Sequence, residues 1–474
     1  MDILLMDPPY TSLKGMSADI GYNIGLTSLA AYLRDGGVES GVLMGDLLMD
    51  LPSVDGWLVL SLKDYATKQE DYREIVNDDG HVVWKKLSDS VRKYHPKAVG
   101  IAYLTPLRCT FEKVASLIKK VAPDIKVIAG GPHPTFCPEE VMRNPNVDFV
   151  IKGEGEIPLL SLVKEIKKDS PKWDGVPGIY YRDSDGRVRN NPGVSLIGSL
   201  DTLSFPARDL VLNCDFTVYR GHCALTARGC PYTCSFCADK SMWGGKVRRR
   251  SVENVVEELH AMRETYKVDL VDFQDGTFTY DRRYVEAFCR AVTKDKLDMK
   301  WRCTARYDNM DRDMLAMMKD ANCAGLLFGL ESGSDRVLKA IDKRTDVKQI
   351  IRVNDMVYES GIPSVTSVLL GLPDEGKEDI EETLKIMRLI RTDMFDVNSY
   401  VPLPGSRISS GANDEEFSSI DWGRVGYKSF GNYFAKRVSH AQLKDYLTEA
   451  YEIADEARAK TIVRYQTSIG LTKR

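Results

Sequence analysis

The sequence predicts an α/β fold: a doubly wound parallel sheet, then a partial (β/α)6 barrel, then a helical C-terminal segment. Two runs of short apolar segments alternating with helical patterns carry this prediction, one over residues 1–165 and one from about residue 224 to residue 401. A turn-rich stretch separates them. The third observation is negative: no apolar run approaches ~18 residues, so no segment reads as a membrane span.

In the first run, Ile3–Met6 reads as a strand that ends at Asp7-Pro8-Pro9. Residues 24–33 have helical spacing and stop at Gly36-Gly37, a helix C-terminal signal. Segments 42–48, 98–104, 127–129 and 149–152 read as further buried strands. Residues 50–95 are polar and read as an insertion with one or two helices. Residues 170–215, with Pro171, Pro177-Gly178, Asp185-Gly186 and Pro206, read as a hairpin and connector. In the second run, strands are expected at 224–227, Leu270–Phe273, Lys300–Ala305, 326–329, Ser364–Leu370 and 396–401. Helices are expected at 251–266, with Ser251 as N-cap, and at Arg282–Lys294, 311–321, Val347–Ser360 and 377–391. The last ~70 residues are helix-rich, and the amphipathic stretch 446–462 is expected to close one end of the barrel. The boundaries drawn are 1–165, 166–215, 216–406 and 407–474.

Hydrophobic residues make up 43% and charged residues 28% of the 474, which excludes a disordered or fibrous chain. Sixty-five Lys+Arg against 69 Asp+Glu give a net charge of −4, so nothing draws the whole surface to nucleic acid. The one basic run, residues 246–250, reads as the entry to the following helix, meeting solvent or internal acids. No nucleic-acid partner is expected. The acidic start is not a signal peptide, so a cytoplasmic location is expected. There the ten cysteines are free thiols or metal ligands rather than disulfides.

Parallel sheets bind ligands beyond the carboxyl ends of their strands. In the first run those ends carry Asp7-Pro8-Pro9-Tyr10, Tyr103-Leu104-Thr105-Pro106, Gly130-Gly131-Pro132-His133-Pro134 and Gly153-Glu154-Gly155-Glu156. Glycines there let backbone approach a ligand, and tight turns in a ligand-free sheet would use the same residues. The sharpest signal lies in the second run, directly after its first strand: Gly229-Cys230-Pro231-Tyr232-Thr233-Cys234-Ser235-Phe236-Cys237. Three thiols at CxxxCxxC spacing are soft ligands that suit an iron–sulfur cluster and leave a fourth iron open. Zinc competes for such thiols, but a closed zinc site takes four protein ligands and no second cysteine pair follows.

With Phe236 before the last cysteine, this motif resembles the signature of radical S-adenosylmethionine (SAM) enzymes. The resemblance implies that Cys230, Cys234 and Cys237 hold a 4Fe–4S cluster whose open iron binds SAM. Reductive cleavage of SAM would then yield a 5′-deoxyadenosyl radical that abstracts hydrogen from substrate. An external one-electron reductant of flavodoxin or ferredoxin type is implied. Later strand ends fit the same family: Asp275 against the SAM amino group, Arg306 against its carboxylate, Glu331 and Ser332 near ribose and amino acid, and Pro404 in an adenine-side loop. The first run and the connector at 200–209 resemble the Rossmann-like cobalamin-binding domain that precedes many such barrels. That implies cobalamin contacts from Leu104, Thr105, Gly130, Gly131, His133, Gly153, Glu154 and Gly155. No Asp-x-His-x-x-Gly motif is present, so no histidine on cobalt is expected from it. The activity implied is transfer of a methyl group through methylcobalamin to an unactivated carbon of a small molecule. The alternative is oxidative cyclisation or hydroxylation without methyl transfer, as in the group of the anaerobic magnesium-protoporphyrin monomethyl ester cyclase. The aromatic residues Tyr427, Phe430, Tyr433 and Phe434 are expected to pack a core or line an apolar substrate pocket.

Overall fold

The computed structural model describes residues 1–16, 22–49, 61–193, 195–219, 221–410 and 414–468. Its first sheet has seven strands: β1 Ile3–Met6, β2 Ser40–Leu43, β3 Ala98–Ala102, β4 Lys126–Gly130, β5 Phe149–Ile151, β6 Ile179–Arg182 and β7 Val188–Asn190. Their order is β2-β1-β3-β4-β5-β6-β7. The first five are parallel, and the hairpin β6–β7 extends the edge antiparallel. Strand β1 is buried along its whole length, as a strand covered on both faces must be. Leu4 and Met6 face one apolar core with helix Val82–Tyr94, and Ile3 and Leu5 the other with helix Ile24–Asp35. The period of two along the strand divides its side chains between these layers.

Two small strands stand apart as a ribbon, β9 Ala227–Arg228 paired antiparallel with β10 Arg248–Arg249. The second main sheet comprises β8 Cys223–Ala224, β11 Leu270–Phe273, β12 Lys300–Ala305, β13 Cys323–Glu331, β14 Ser364–Leu370 and β15 Met394–Ser399. These six strands follow one another in sequence order, all parallel, and form the partial barrel. Crossover helices alternate with the strands, and four start on side-chain caps. Ser251, Asp281, Asp311 and Asp346 accept hydrogen bonds from backbone N–H groups of the first turn.

The structure corrects the sequence expectations at three places. The first barrel strand is shorter than 224–227, because the chain leaves the sheet after Ala224 and turns into the β9–β10 ribbon. The insertion carries three helices, Leu62–Glu70, Tyr72–Asn77 and Val82–Tyr94; its residues 50–60 lie outside the described residues. The C-terminal helix His440–Ser468 packs beside β15 and helix Lys377–Leu389 rather than across a barrel end. Leu447, Ala450, Tyr451 and Ala454, on one helical face, enter the barrel's apolar core. The insertion helix Leu62–Glu70 grips this last helix through Ser61 to Asp455, Lys63 to Glu452 and Lys444 to Glu70. Among the described residues no helix is long and apolar enough to cross a membrane.

Candidate functional site

A cavity of about 740 Å³ is lined from both sheets. The first sheet supplies the ends of β1, β3, β4 and β5, and the barrel supplies the cysteine loop, the end of β11 and the loop after β15. This is where parallel strands bind ligands.

The first wall is bare backbone and apolar surface. Leu104 is 44% exposed, unusual for a leucine beside buried strands, and it lines the cavity with Thr105. Gly130, Gly131, Gly153 and Gly155 line it too. A Cβ built on Gly130 or Gly153 would meet no atom within 4 Å, so the main chain there lies open for a large flat group to approach. Gly131 has a φ of +94°, which turns the chain sharply from β4 into the next loop. Asp7 also borders the cavity, and burial pushes its carboxyl up to about 7.

The charged groups of this wall are engaged elsewhere. Glu154 lines the cavity, but its carboxylate pairs with Arg228 at 2.5 Å and Arg248 at 2.9 Å and accepts the Ile197 N–H. Glu156 takes the second guanidinium nitrogen of Arg228 at 2.5 Å. Burial raises the Glu154 carboxyl, but the two arginines and the backbone bond outweigh this and hold it below the usual range. Glu154 therefore clamps the first domain to the residue that opens the cysteine loop, rather than offering a free group to a cofactor. His133 is buried, bonded to Thr105 through Nδ1 and to Glu140 through Nε2, and does not line the cavity. His133 thus sits one hydrogen bond behind the lining residue Thr105.

The barrel wall is built around sulfur. Gly229 has a φ of +98°, and a Cβ there would stand 2.2 Å from the Lys246 carbonyl oxygen, so only glycine makes this turn into the cysteine loop. Each sulfur then has a polar neighbour. The Thr277 hydroxyl lies 3.5 Å from Cys230 Sγ, Arg306 Nη1 lies 3.7 Å from Cys234 Sγ, and the Asp239 N–H donates to Cys237 Sγ at 3.4 Å. The Arg306 guanidinium and the Asp239 N–H are donors of the kind that support anionic sulfur ligands, while the Thr277 hydroxyl donates to the Gly276 carbonyl. Burial raises the Cys230 thiol and pushes that of Cys237 up to about 12, so cluster binding must displace protons. Among the described residues, the group of three His, Cys or acidic donor atoms gathered within 4.8 Å is His133, Cys137 and Glu140. The three loop thiols are not gathered in such a group.

Arg306 is the cation beside the cysteine loop, behind the residues that line the cavity. It is buried, paired with Asp308 at 2.9 Å, stacked 3.7 Å from the centre of the Tyr232 ring, and bonded to the Lys343 carbonyl. Lys343 Nζ reaches Glu331 Oε1 at 2.6 Å, and Glu331 has a φ of +64° at the end of β13. A left-handed glutamate is strained, and such strain gathers at functional sites. Pro404 lines the cavity. The next residue, Gly405, sits where a Cβ would lie 2.4 Å from the Phe136 ring, so this barrel loop is pressed directly on the first domain. Tyr427 lines the cavity, Phe430 is buried in the barrel core and Tyr433 is 51% exposed, so the four C-terminal aromatics do not act as one cluster.

Asp275 and Ser332, expected near SAM, lie outside the cavity lining, as Arg306 and Glu331 also do. The carboxylate of Asp275 accepts the N–H groups of Thr226 at 2.9 Å and Ala227 at 2.6 Å and the Thr226 hydroxyl at 2.8 Å. It holds the chain where it leaves the barrel and does not line the cavity, whereas its neighbours Gln274 and Gly276 do. Ser332 is fully buried, its hydroxyl within 3.2 Å of Thr383 Oγ1 and accepting the Ser334 N–H. Both residues shape loops. Tyr232, Thr277 and Lys343 were not singled out from the sequence. The aromatic Tyr232 inside the cysteine loop was the visible signal; nothing marked Lys343, whose pairing crosses two loops.

Known proteins agree with this architecture. Residues 12–163 match the B12 binding domain and residues 225–387 the radical SAM superfamily. An uncharacterised methyltransferase of Pyrococcus horikoshii is 29% identical over 86% of this chain and 82% of its own length. The anaerobic magnesium-protoporphyrin IX monomethyl ester cyclase of Rubrivivax gelatinosus is 28% identical over 70% of this chain and 61% of its own. Among solved structures, the radical SAM methyltransferase TsrM of Kitasatospora setae, with cobalamin and a 4Fe–4S cluster bound, superimposes with a TM-score of 0.65 at 17% identity, covering 88% of this chain and 78% of TsrM. With one domain of each kind facing a shared cavity, the chain is a radical SAM enzyme that carries an N-terminal B12-binding domain, and its cofactors are a 4Fe–4S cluster, SAM and cobalamin.

Proposed function

We propose that this enzyme transfers a methyl group to an unactivated carbon of a small molecule held in the shared cavity. The observation that carries this reading is the single cavity bounded by an open glycine backbone on one side and by the cysteine loop on the other. When bound, the cofactors supply one-electron chemistry and a transferable methyl group. In this reading Cys230, Cys234 and Cys237 hold the cluster. Arg306 offers its guanidinium to the SAM carboxylate. Glu331, fixed by Lys343, and Pro404 line the rest of the SAM site. The open backbone of Gly130 and Gly153, with the neighbouring Gly131 and Gly155 and with Leu104 and Thr105, seats cobalamin. Tyr103, stacked on Phe111 at 4.1 Å, is part of this wall. Electrons come from an external one-electron donor of flavodoxin or ferredoxin type. The cysteines lie outside any disulfide among the described residues, which suits a reducing compartment, and the cytoplasm is the proposed location.

Anaerobic reconstitution with iron, sulfide and hydroxocobalamin tests the assignment. About four irons and one cobalt per chain are expected. Replacing any one of Cys230, Cys234 or Cys237 by alanine should remove the iron and leave the cobalt. Zinc in place of iron in strictly anaerobic protein would overturn the reading. A product heavier by one CH2 identifies methyl transfer, whereas loss of hydrogen or gain of oxygen would point to the cyclase-type outcome.

A further inference from the structure

The buried group His133, Cys137 and Glu140 lies behind the cavity wall and takes no part in the assignments above. Its donor atoms meet within 4.8 Å, as a metal site would require. The neighbouring charge argues otherwise. Arg108 Nη2 stands 2.6 Å from Glu140 Oε1, where a cation would be repelled. The remaining bonds form a line that ends at the cavity: Glu140 Oε2 to His133 Nε2 at 3.0 Å, then His133 Nδ1 to Thr105 Oγ1 at 3.2 Å.

The direction of these bonds follows from the charges. Burial raises the Glu140 carboxyl, but the His133 bond and the Arg108 charge outweigh it and bring it below the usual range. Glu140 is thus a carboxylate and can only accept, so His133 Nε2 carries the hydrogen. With the hydrogen on Nε2, the neutral ring offers Nδ1 as an acceptor, and the Thr105 hydroxyl donates to it. The free lone pairs of Thr105 Oγ1 are left for the cavity that Thr105 lines.

We propose that His133 is a positioning residue that fixes Thr105 as a hydrogen-bond acceptor on the cavity wall, matched to an N–H or O–H donor of the bound cobalamin. That donor is an acetamide of the corrin rim or a water on its metal. The inference rests on the reading that this cavity holds cobalamin.

Titration of the reconstituted full-length enzyme with hydroxocobalamin, followed by visible absorbance, tests it. Thr105→Val should weaken binding about tenfold, the scale of one lost hydrogen bond with its partner left unpaired, and Thr105→Ser should restore it. His133→Phe should weaken binding equally, and the double variant should be no weaker than either single one, because both remove one bond. Absorption bands that stay in place assign the donor to the corrin acetamides, whereas shifted bands assign it to water on the metal. Thr105→Val is isosteric and carries the test alone if His133→Phe does not fold. Wild-type binding with an unaffected Thr105→Val variant would overturn the relay while leaving the cofactor reading intact. Failure of the wild type to bind hydroxocobalamin overturns both. A divalent ion that co-purifies and is lost in Cys137→Ala would also overturn it, in favour of a metal site.

Discussion

The two walls of the cavity use the same topology and opposite chemistry. Both are carboxyl ends of parallel strands. The first presents open main chain at Gly130 and Gly153 and an exposed Leu104, while its charged Glu154 is turned to hold the other domain. The second presents Cys237, Gln274 and Gly276 to the cavity, and behind them Cys230, Cys234, Arg306 and Glu331, each with a fixed partner. A large flat group is best bound by shape and bare backbone, and a charged cluster with a charged amino acid by directed donors. The difference teaches that polar residues at strand ends are not equivalent. Asp275 and Ser332 are spent on holding loops, and Glu154 on holding the other domain.

Glycine substitutions should separate the walls most strongly. Gly229→Ala adds a Cβ 2.2 Å from a carbonyl oxygen at positive φ. The cost of backbone strain and overpacking, about 3 kcal/mol or more, should appear as lost iron and a lowered melting temperature. Gly130→Leu should leave the melting temperature unchanged and weaken hydroxocobalamin binding by at least about tenfold, since a side chain there enters open cavity rather than protein. Equal melting temperatures for the two variants would break the comparison.

The clamp between the walls comes next. Glu154→Gln leaves Arg248 buried without its anion and should lower stability by about 3 kcal/mol in denaturant titrations. It should also loosen cobalamin and cluster together, because Arg228 opens the cysteine loop. An effect confined to one cofactor would show that the walls are held independently.

A smaller effect sharpens how each region holds its acids. Glu154, bonded by two arginines, stays ionised. Glu375, beyond β14, accepts only from the N–H groups of Gly371 at 2.6 Å and Leu372 at 3.3 Å, and burial pushes it up to about 8. The folded protein therefore takes up a proton between the unfolded value near 4.5 and about pH 8. Over that window stability should fall as pH rises, by up to about 1.4 kcal/mol per pH unit from this group, and level off above it. Glu375→Gln mimics the protonated acid and should remove that slope. An unchanged stability-against-pH curve in the variant would contradict it.

Most of the fold was legible because strand–helix alternation is a local signal. Leu270–Phe273, Lys300–Ala305, Ser364–Leu370, Arg282–Lys294 and Val347–Ser360 have the bounds read from periodicity. The split after Ala224 was not legible, since it depends on Asp275 capturing the N–H groups of residues 226 and 227, some fifty positions earlier in the chain. The cysteine triad was visible because its spacing is itself the signal. The partners of His133, Asp275 and Ser332 were not legible, because a strand-end position does not say which way a side chain turns. That is decided by partners such as Glu140, Thr226 and Thr383, which lie on other elements.

The grip of helix Leu62–Glu70 on the C-terminal helix has a consequence for the order of assembly. Ser61 and Asp455, its bonded ends, are 394 positions apart. During synthesis both sheets emerge before this latch has its second half. The first domain must therefore fold with this latch open, its helix held by Tyr65 and Gln69 against Lys14 and Tyr10, and the latch closes once helix His440–Ser468 has left the ribosome.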